Sequence, residues 1–213
     1  MSNYTTQTKE TQSQISSDEA LGMLKDGNKR FVDNKQLKRD YTEQVKITSN
    51  GQYPIAAVLS CIDSRVPVEV IFDQGIGDIF SARVAGNVVS KDILGSIEYA
   101  CKYAGVKLIL ILGHTSCGAV KGACDSLEDG NLTHLLNKIK PAINNTKTEA
   151  GESRDSTNIK FVNSVAENNL LQSIEDIKQK SSILNQLNNN GNMRRDMTYI
   201  DDVVNLTLKI LKE

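Results

Sequence analysis

Two short segments of the sequence carry residue types that bind metal ions and move protons. The first runs from Cys61 to Arg65 and includes the carboxylate of Asp63, and the second contains His114 and Cys117, three positions apart. Thiolates and imidazoles are preferred ligands of Zn²⁺. Three protein ligands are the usual number for a catalytic zinc, because the fourth position is then left for water or substrate. These residue types therefore predict a catalytic zinc centre.

The spacing within each segment can bring its side chains together. If the first segment is extended, residues two apart point to one face, so Cys61, Asp63 and Arg65 would share a pocket. One tight turn could direct both His114 and Cys117 at the same ion, and the glycines on either side of that pair permit such a turn. A thiolate, a carboxylate and a fixed cation would then lie beside one metal ion.

Each segment directly follows a short apolar run of the kind that forms a buried strand. Residues 54–60 and 106–112 are almost wholly apolar, and residues 79–85 read as a further strand. Residues 92–103 have apolar positions at helical spacing. Strand–helix–strand units of these lengths imply a parallel sheet, in which ligands bind beyond the carboxyl ends of the strands. Both candidate segments follow strands at that position.

The predicted fold class is α/β, a mainly parallel central sheet flanked by helices. Residues 1–17 are predicted to be a mobile N-terminal arm, and residues 18–213 a single domain that opens with a helical arm. Alternation in residues 193–213 suggests a C-terminal strand at the sheet edge, although a helix also fits. The predicted helices cover residues 18–31, 67–72, 92–103, 119–124, 132–143 and, as one long helix or two, 161–187.

Composition excludes several classes of partner. The 25 Lys and Arg residues are balanced by 26 Asp and Glu residues, which does not suggest a nucleic-acid surface or a membrane anchor. No apolar run approaches the roughly 20 residues that span a bilayer. Residues 1–17 lack the apolar core of a secretory signal, and four cysteines in 213 residues do not form a disulfide pattern. We therefore expect a cytoplasmic protein with reduced thiols.

These segments and their surroundings resemble the signatures of the β-class carbonic anhydrases. Residues 61–67 are similar to the first signature of that family, residues 80–87 to the second and residues 113–119 to the third. Residues 24–31 resemble the end of its N-terminal helix, and the resemblance as a whole covers roughly residues 18 to 125. The chain has no tryptophan and has Gln52 ahead of the first signature, which resembles the plant-like, non-allosteric branch.

The resemblance implies reversible hydration of carbon dioxide to bicarbonate and a proton by zinc-bound hydroxide. One Zn²⁺ per chain would be bound by Cys61, His114 and Cys117. Asp63 and Arg65 would form a dyad that orients the nucleophile, with Asp63 a fourth zinc ligand only in a closed state; in this branch we expect the open state at neutral pH. The resemblance also implies a homodimer or a tetramer built from two dimers. Five residues correspond to substrate-binding positions of the family: Gln52, Phe80, Ala85, Tyr99 and Gly118.

Two other functions fit the same sequence. One is a hydrolase of the same fold that acts on carbonyl sulfide or carbon disulfide, for which the same zinc chemistry would serve. The other is a non-catalytic, zinc-stabilised module, which would lack the Asp63–Arg65 dyad or have a fixed fourth ligand. No proton shuttle is evident, because the only histidine besides His114 is His134, which lies outside the motifs.

Overall fold

A parallel three-stranded sheet lies at the centre of the computed structural model, which describes residues 6–189. Its strands are β1 (Ala56–Ser60), β2 (Ile79–Arg83) and β3 (Leu108–Leu112), in the order β2-β1-β3. Both neighbours run parallel to β1 and in register with it, so the carboxyl ends of the three strands meet at one edge. The predicted parallel α/β fold is confirmed, while the predicted C-terminal strand lies outside the described residues.

Ten helices surround this sheet in the described part of the chain, and none of them is long and apolar enough to cross a membrane. The helix predicted over residues 132–143 is two helices, because Pro141 lies in the first turn of the second one, where its missing N–H costs nothing. The region 161–187 is also two helices, separated at Ser181. The helices are α1 (Lys9–Gln14), α2 (Ser17–Val32), α3 (Tyr41–Thr48), α4 (Val68–Ile71), α5 (Lys91–Lys102), α6 (Gly118–Cys124), α7 (Gly130–Leu136), α8 (Lys140–Asn145), α9 (Ile159–Lys180) and α10 (Ser182–Asn189).

The central strand has apolar packing on both faces, which explains its continuous apolar sequence. Every residue of β1 is buried. Ala56 and Val58 belong to one core cluster, together with apolar residues of α2, α4 and α6. Ala57 and Leu59 belong to the second cluster, on the side of α5 and α10. Successive side chains of β1 therefore point to opposite faces of the sheet, and each face packs against one layer of helices.

Residues 6–17, which belong to the arm expected over residues 1–17, contain α1. Gln12 of α1 is buried, and its Nε2 donates hydrogen bonds to the carbonyl oxygens of Pro54 (2.7 Å) and Ala104 (2.8 Å). Just after Gln12, the carbonyl oxygens of Ser13 and Ile15 each accept a hydrogen bond from Lys107 Nζ, both at 2.8 Å. These contacts are polar, so a search for apolar periodicity does not detect them.

A buried ion network and a close backbone approach join α2 to the end of α4. A Cβ at Gly27 would lie 1.8 Å from the carbonyl oxygen of Phe72, so the crossing requires glycine. The carboxylate of Asp73 accepts hydrogen bonds from Arg30 Nε (2.5 Å) and from Arg39. The side chains of Asp73 and Arg39 are each only 2% exposed. These contacts attach α4 and the residues after it, which follow the segment Cys61–Arg65, to the rest of the domain.

Candidate metal centre

Three buried side chains meet at the carboxyl ends of β1 and β3. Cys61 directly follows β1, while His114 and Cys117 lie in the turn that follows β3. Their ligand atoms all lie within 4.8 Å of one another, and the two sulfur atoms are 3.9 Å apart. Within the described residues, this is the one group of three or more Cys, His, Asp or Glu side chains with that geometry. The structure thus brings together the three predicted ligands.

The geometry of this group fits a tetrahedral zinc ion. Zinc–sulfur bonds of about 2.3 Å at tetrahedral angles separate two sulfur atoms by about 3.8 Å, close to the separation of Cys61 and Cys117. His114 Nδ1 lies 3.0 Å from the carbonyl oxygen of Thr115, while Nε2 is buried and has no hydrogen-bond partner among the described residues. A proton on Nδ1 leaves the lone pair of Nε2 directed at the ligand group.

The two thiols affect each other's ionisation. The hydrogen bond with Cys117 lowers the pKa of Cys61 to about 4, although burial of the sulfur opposes this shift. The same contact with the Cys61 thiolate raises the pKa of Cys117, and burial raises it further. Ionisation of one thiol therefore opposes ionisation of the other. A second thiolate at this separation requires a positive charge beside it, which a divalent metal ion provides.

A carboxylate and a guanidinium lie beside the ligand group. Arg65 donates to Asp63 through Nε (2.9 Å to Oδ1) and Nη2 (2.8 Å to Oδ2), and its backbone N–H donates to Oδ1 at 3.0 Å. This pairing holds the pKa of Asp63 well below its usual range. Asp63 Oδ2 is also 3.7 Å from His114 Nε2. The carboxylate thus lies next to the position a metal would take, while its hydrogen bonds hold it on Arg65.

Backbone contacts fix the segment that carries Cys61 and Asp63. Arg83, the last residue of β2, donates from Nε to the carbonyl oxygen of Cys61 (2.9 Å) and from Nη2 to that of Asp63 (2.6 Å). The backbone N–H of Gly86 donates to Cys61 Sγ at 3.3 Å. Gly86 has φ 66°, and a Cβ there would lie 2.9 Å from Ile139 Cδ1. Glycine is therefore required in the turn that follows β2.

Helix α9 contributes contacts that sequence reasoning missed. Asn163 Oδ1 accepts a hydrogen bond from the backbone N–H of Ser116, within the turn that carries two ligands (2.9 Å). Asn169 Nδ2 donates to the carbonyl oxygen of Gly86 at 2.7 Å. Polar residues on a helix have no spacing that distinguishes them from a solvated face, so the sequence offered no signal for either asparagine.

The five predicted substrate-binding residues lie in three different places. Phe80 of β2 and Tyr99 of α5 are in edge-to-face contact, with ring centroids 6.4 Å apart, on a groove of about 770 Å³ that Arg83 also lines. Ala85, half-buried, is the neighbour of Gly86, and Gly118 follows Cys117 as the exposed first residue of α6.

Gln52 is separated from the other candidate residues. It lies exposed ahead of β1, whereas Cys61 follows the end of that five-residue strand. At about 3.3 Å per residue, the five residues of β1 span about 16 Å, so Gln52 and Cys61 lie beyond opposite ends of this strand.

Comparisons with known proteins agree with this geometry. The sequence model of the carbonic anhydrase family matches residues 56–199. Carbonic anhydrase 2 of Mycobacterium tuberculosis is 47% identical over 126 residues, which cover 56% of this chain and 61% of that protein. The chain thus spans less than two thirds of the length of this relative. A carbon disulfide hydrolase of Acidithiobacillus thiooxidans is 36% identical over 77 residues, 33% of this chain and 36% of that protein.

A solved structure supports the same fold. It belongs to a report of two tetrameric β-carbonic anhydrases from the filamentous ascomycete Sordaria macrospora. The TM-score is 0.56 at 25% sequence identity, and the alignment covers 70% of this chain and 79% of that one.

Proposed function

We propose a function from one premise: this chain belongs to the β-class carbonic anhydrase family. The function is reversible hydration of carbon dioxide to bicarbonate and a proton. The observation that carries the proposal is the buried group of Cys61, His114 and Cys117 with the Asp63–Arg65 pair beside it. A zinc ion held by these three side chains would lower the pKa of a bound water from about 15.7 towards about 7, the value known for carbonic anhydrases, and so supply the nucleophile.

Asp63 is proposed to orient the nucleophile rather than to take its proton. Its Oδ2 lies 3.7 Å from His114 Nε2, so it would be near enough to accept a hydrogen bond from a water beside that ligand. Because Arg65 holds the pKa of Asp63 well below its usual range, this carboxylate is a weak base at neutral pH. Accepting a hydrogen bond therefore suits it better than holding a proton. Arg65 keeps the carboxylate in one orientation through two parallel donors, a geometry that lysine does not offer.

The dyad also favours an open site at neutral pH. Both carboxylate oxygens of Asp63 accept hydrogen bonds from Arg65. The fourth position on a metal would thereby remain available to water. We propose on this basis that the chain belongs to the plant-like branch, in which activity rises gradually with pH and is not switched on cooperatively.

We propose that the active form is a homodimer or a pair of dimers. Strand β2 is an edge of the described sheet, and beside it Tyr99 leaves 57% of its surface exposed next to the half-buried ring of Phe80. A second chain that covers this groove would enclose the apolar residues proposed to line the path of carbon dioxide. It could also bring its own Gln52 to the metal centre, from which β1 separates Gln52 within one chain.

The four free cysteines favour a reducing compartment, and we propose the cytoplasm.

A related substrate is the second candidate. The similarity to a carbon disulfide hydrolase favours testing carbon disulfide and carbonyl sulfide, which are linear and apolar like carbon dioxide. A non-catalytic zinc module is less well supported. Structural zinc sites usually have four fixed ligands, whereas the group here has three, and Asp63 is engaged by Arg65.

Stopped-flow hydration of carbon dioxide by the purified full chain tests the proposal. Wild-type protein should accelerate hydration, and Cys117→Ser should lose both the metal and the acceleration. Cys124→Ser is the matched control, since this half-buried thiol lies outside the ligand group and burial raises its pKa to about 11. Wild-type protein that binds zinc but turns over only carbon disulfide or carbonyl sulfide would establish the second candidate. Full activity in Cys117→Ser would refute the ligand assignment.

A further inference from the structure

Helix α9 holds the turn that follows β2 through two adjacent carbonyl oxygens. Asn169 Nδ2 donates to the carbonyl oxygen of Gly86 (2.7 Å), and Ser173 Oγ donates to that of Asn87 (3.1 Å). Because Asn169 and Ser173 are four residues apart, they lie on the same face of α9. Both are 2% exposed, so neither hydrogen bond competes with bulk water.

The turn needs such support because its backbone is unusual. Gly86 has φ 66° and Asn87 has φ 44°, two consecutive residues in the left-handed region. Within the turn, the backbone N–H of Asn87 donates to the carbonyl oxygen of Val84 at 2.9 Å. A buried carbonyl that loses its donor costs free energy, so removing the Asn169 amide would favour a different arrangement of Gly86.

The same turn contacts the candidate metal centre. The backbone N–H of Gly86 donates to Cys61 Sγ at 3.3 Å. A hydrogen bond to a thiolate withdraws negative charge from sulfur, and so reduces the charge that the sulfur donates to a bound metal. The chain of contacts thus runs from Asn169 through Gly86 to Cys61.

We propose that Asn169 is a positioning residue of the metal centre: by holding Gly86, it sets the N–H donor that controls how strongly Cys61 donates to a bound metal ion. Ser173 supports the same turn by donating a hydrogen bond to the carbonyl oxygen of Asn87. The inference rests on the proposed function only in taking the three-ligand group to bind a metal. It assigns to α9 a role in the electronic properties of the site, in addition to packing.

The test uses the full chain loaded with Co²⁺, whose thiolate-to-metal charge-transfer absorption reports the charge on sulfur. In Asn169→Leu this absorption should move to longer wavelength, because a thiolate with a weaker hydrogen bond gives up an electron more readily. Affinity for zinc, measured by competition with a chromophoric chelator, should nevertheless fall about tenfold, because Cys61 is no longer held in position for the metal, and removing a residue that supports a ligand usually costs about this much. The matched control is Asn168→Leu on the same helix, whose amide donates to Thr146 Oγ1 at 2.7 Å, outside the site.

A second variant keeps the inference testable if Asn169→Leu does not fold. Ser173→Ala removes the neighbouring donor with little change in volume, and should move the absorption in the same direction by a smaller amount. A wild-type spectrum in either folded variant, or an equal shift in Asn168→Leu, would overturn the proposal. Neither readout requires turnover. If wild-type protein shows a thiolate–cobalt spectrum but no hydration activity, the proposed function is refuted, while the proposal about Asn169 is still decided by the spectra.

Discussion

Replacing Arg65 with alanine is expected to cost most of the activity while leaving the metal bound. Arg65 supplies two side-chain hydrogen bonds to Asp63, at 2.9 and 2.8 Å, and only the backbone donor to Oδ1 would remain. The freed carboxylate lies 3.7 Å from His114 Nε2, close enough to turn towards the metal position and occupy it. The three metal ligands are untouched by this change.

The size of the effect follows from the exposure of the pair. Arg65 is 49% exposed and Asp63 19% exposed, so solvent screens their attraction. Screened ion pairs contribute about 0–1 kcal/mol, and parallel charged hydrogen bonds are roughly twice as strong as neutral ones, which gives about 1–2 kcal/mol. At about 1.4 kcal/mol per factor of ten, the population of the open site, and with it kcat/KM, should fall about 5- to 30-fold.

Stopped-flow hydration rates and metal content measured on the same sample would test this estimate. The double variant Asp63→Asn, Arg65→Ala is the control, because an amide in place of the carboxylate has little tendency to bind the metal. Adding Arg65→Ala to Asp63→Asn should therefore lower kcat/KM less than adding Arg65→Ala to the wild-type protein. Unchanged kcat/KM in Arg65→Ala, or loss of the metal from it, would refute the reasoning.

Three further results are expected. Gly86→Ala should lower the free energy of unfolding by about 2–4 kcal/mol in urea titrations, because of left-handed strain and the contact with Ile139. Asp73→Asn should cost about 3 kcal/mol at pH 7, since it removes the charge of a buried carboxylate that accepts hydrogen bonds from Arg30 and Arg39. Burial raises the pKa of Asp73, but the hydrogen bonds from Arg30 and Arg39 lower it by a larger amount, so the net shift of this pKa is downward. The carboxylate therefore stabilises the fold above about pH 4 and ceases to do so as the pH falls through its lowered folded-state pKa, below which urea unfolding of wild type and variant should converge. Light scattering should show a dimer or larger assembly, and an active monomer would contradict the proposed closure of the groove beside β2.

The grouping of Cys61, His114 and Cys117 and the sheet that positions it could be predicted because each depends on a short sequence pattern. A buried parallel strand has an almost continuous apolar sequence, as in β1 and β3, and the ligand residues follow directly after each strand. The parallel pairing of β1 with β3, in which Ser60 lies opposite Leu112, then brings Cys61 close to the turn that carries His114 and Cys117. Neither step depends on the packing of distant helices.

The features that were missed depend on contacts between distant parts of the chain. Gln12 is buried because it donates to Pro54 and Ala104, which lie 42 and 92 positions away. Asn169 contacts Gly86 across 83 positions. Such polar pairs produce no periodicity in the sequence, because each partner alone looks like an ordinary surface residue. The same limitation applies to the separation of Gln52 from the metal centre, which follows only from the direction of β1.

Titration of zinc into metal-free protein, with carbon dioxide hydration recorded at each addition, tests the central claim most directly. If Cys61, His114 and Cys117 form the catalytic centre, activity should rise linearly and stop rising at one zinc per chain. The activity of Cys117→Ser should remain at baseline throughout the same titration. Activity that is independent of added zinc, or zinc that binds with this stoichiometry without any hydration of carbon dioxide, would contradict the account.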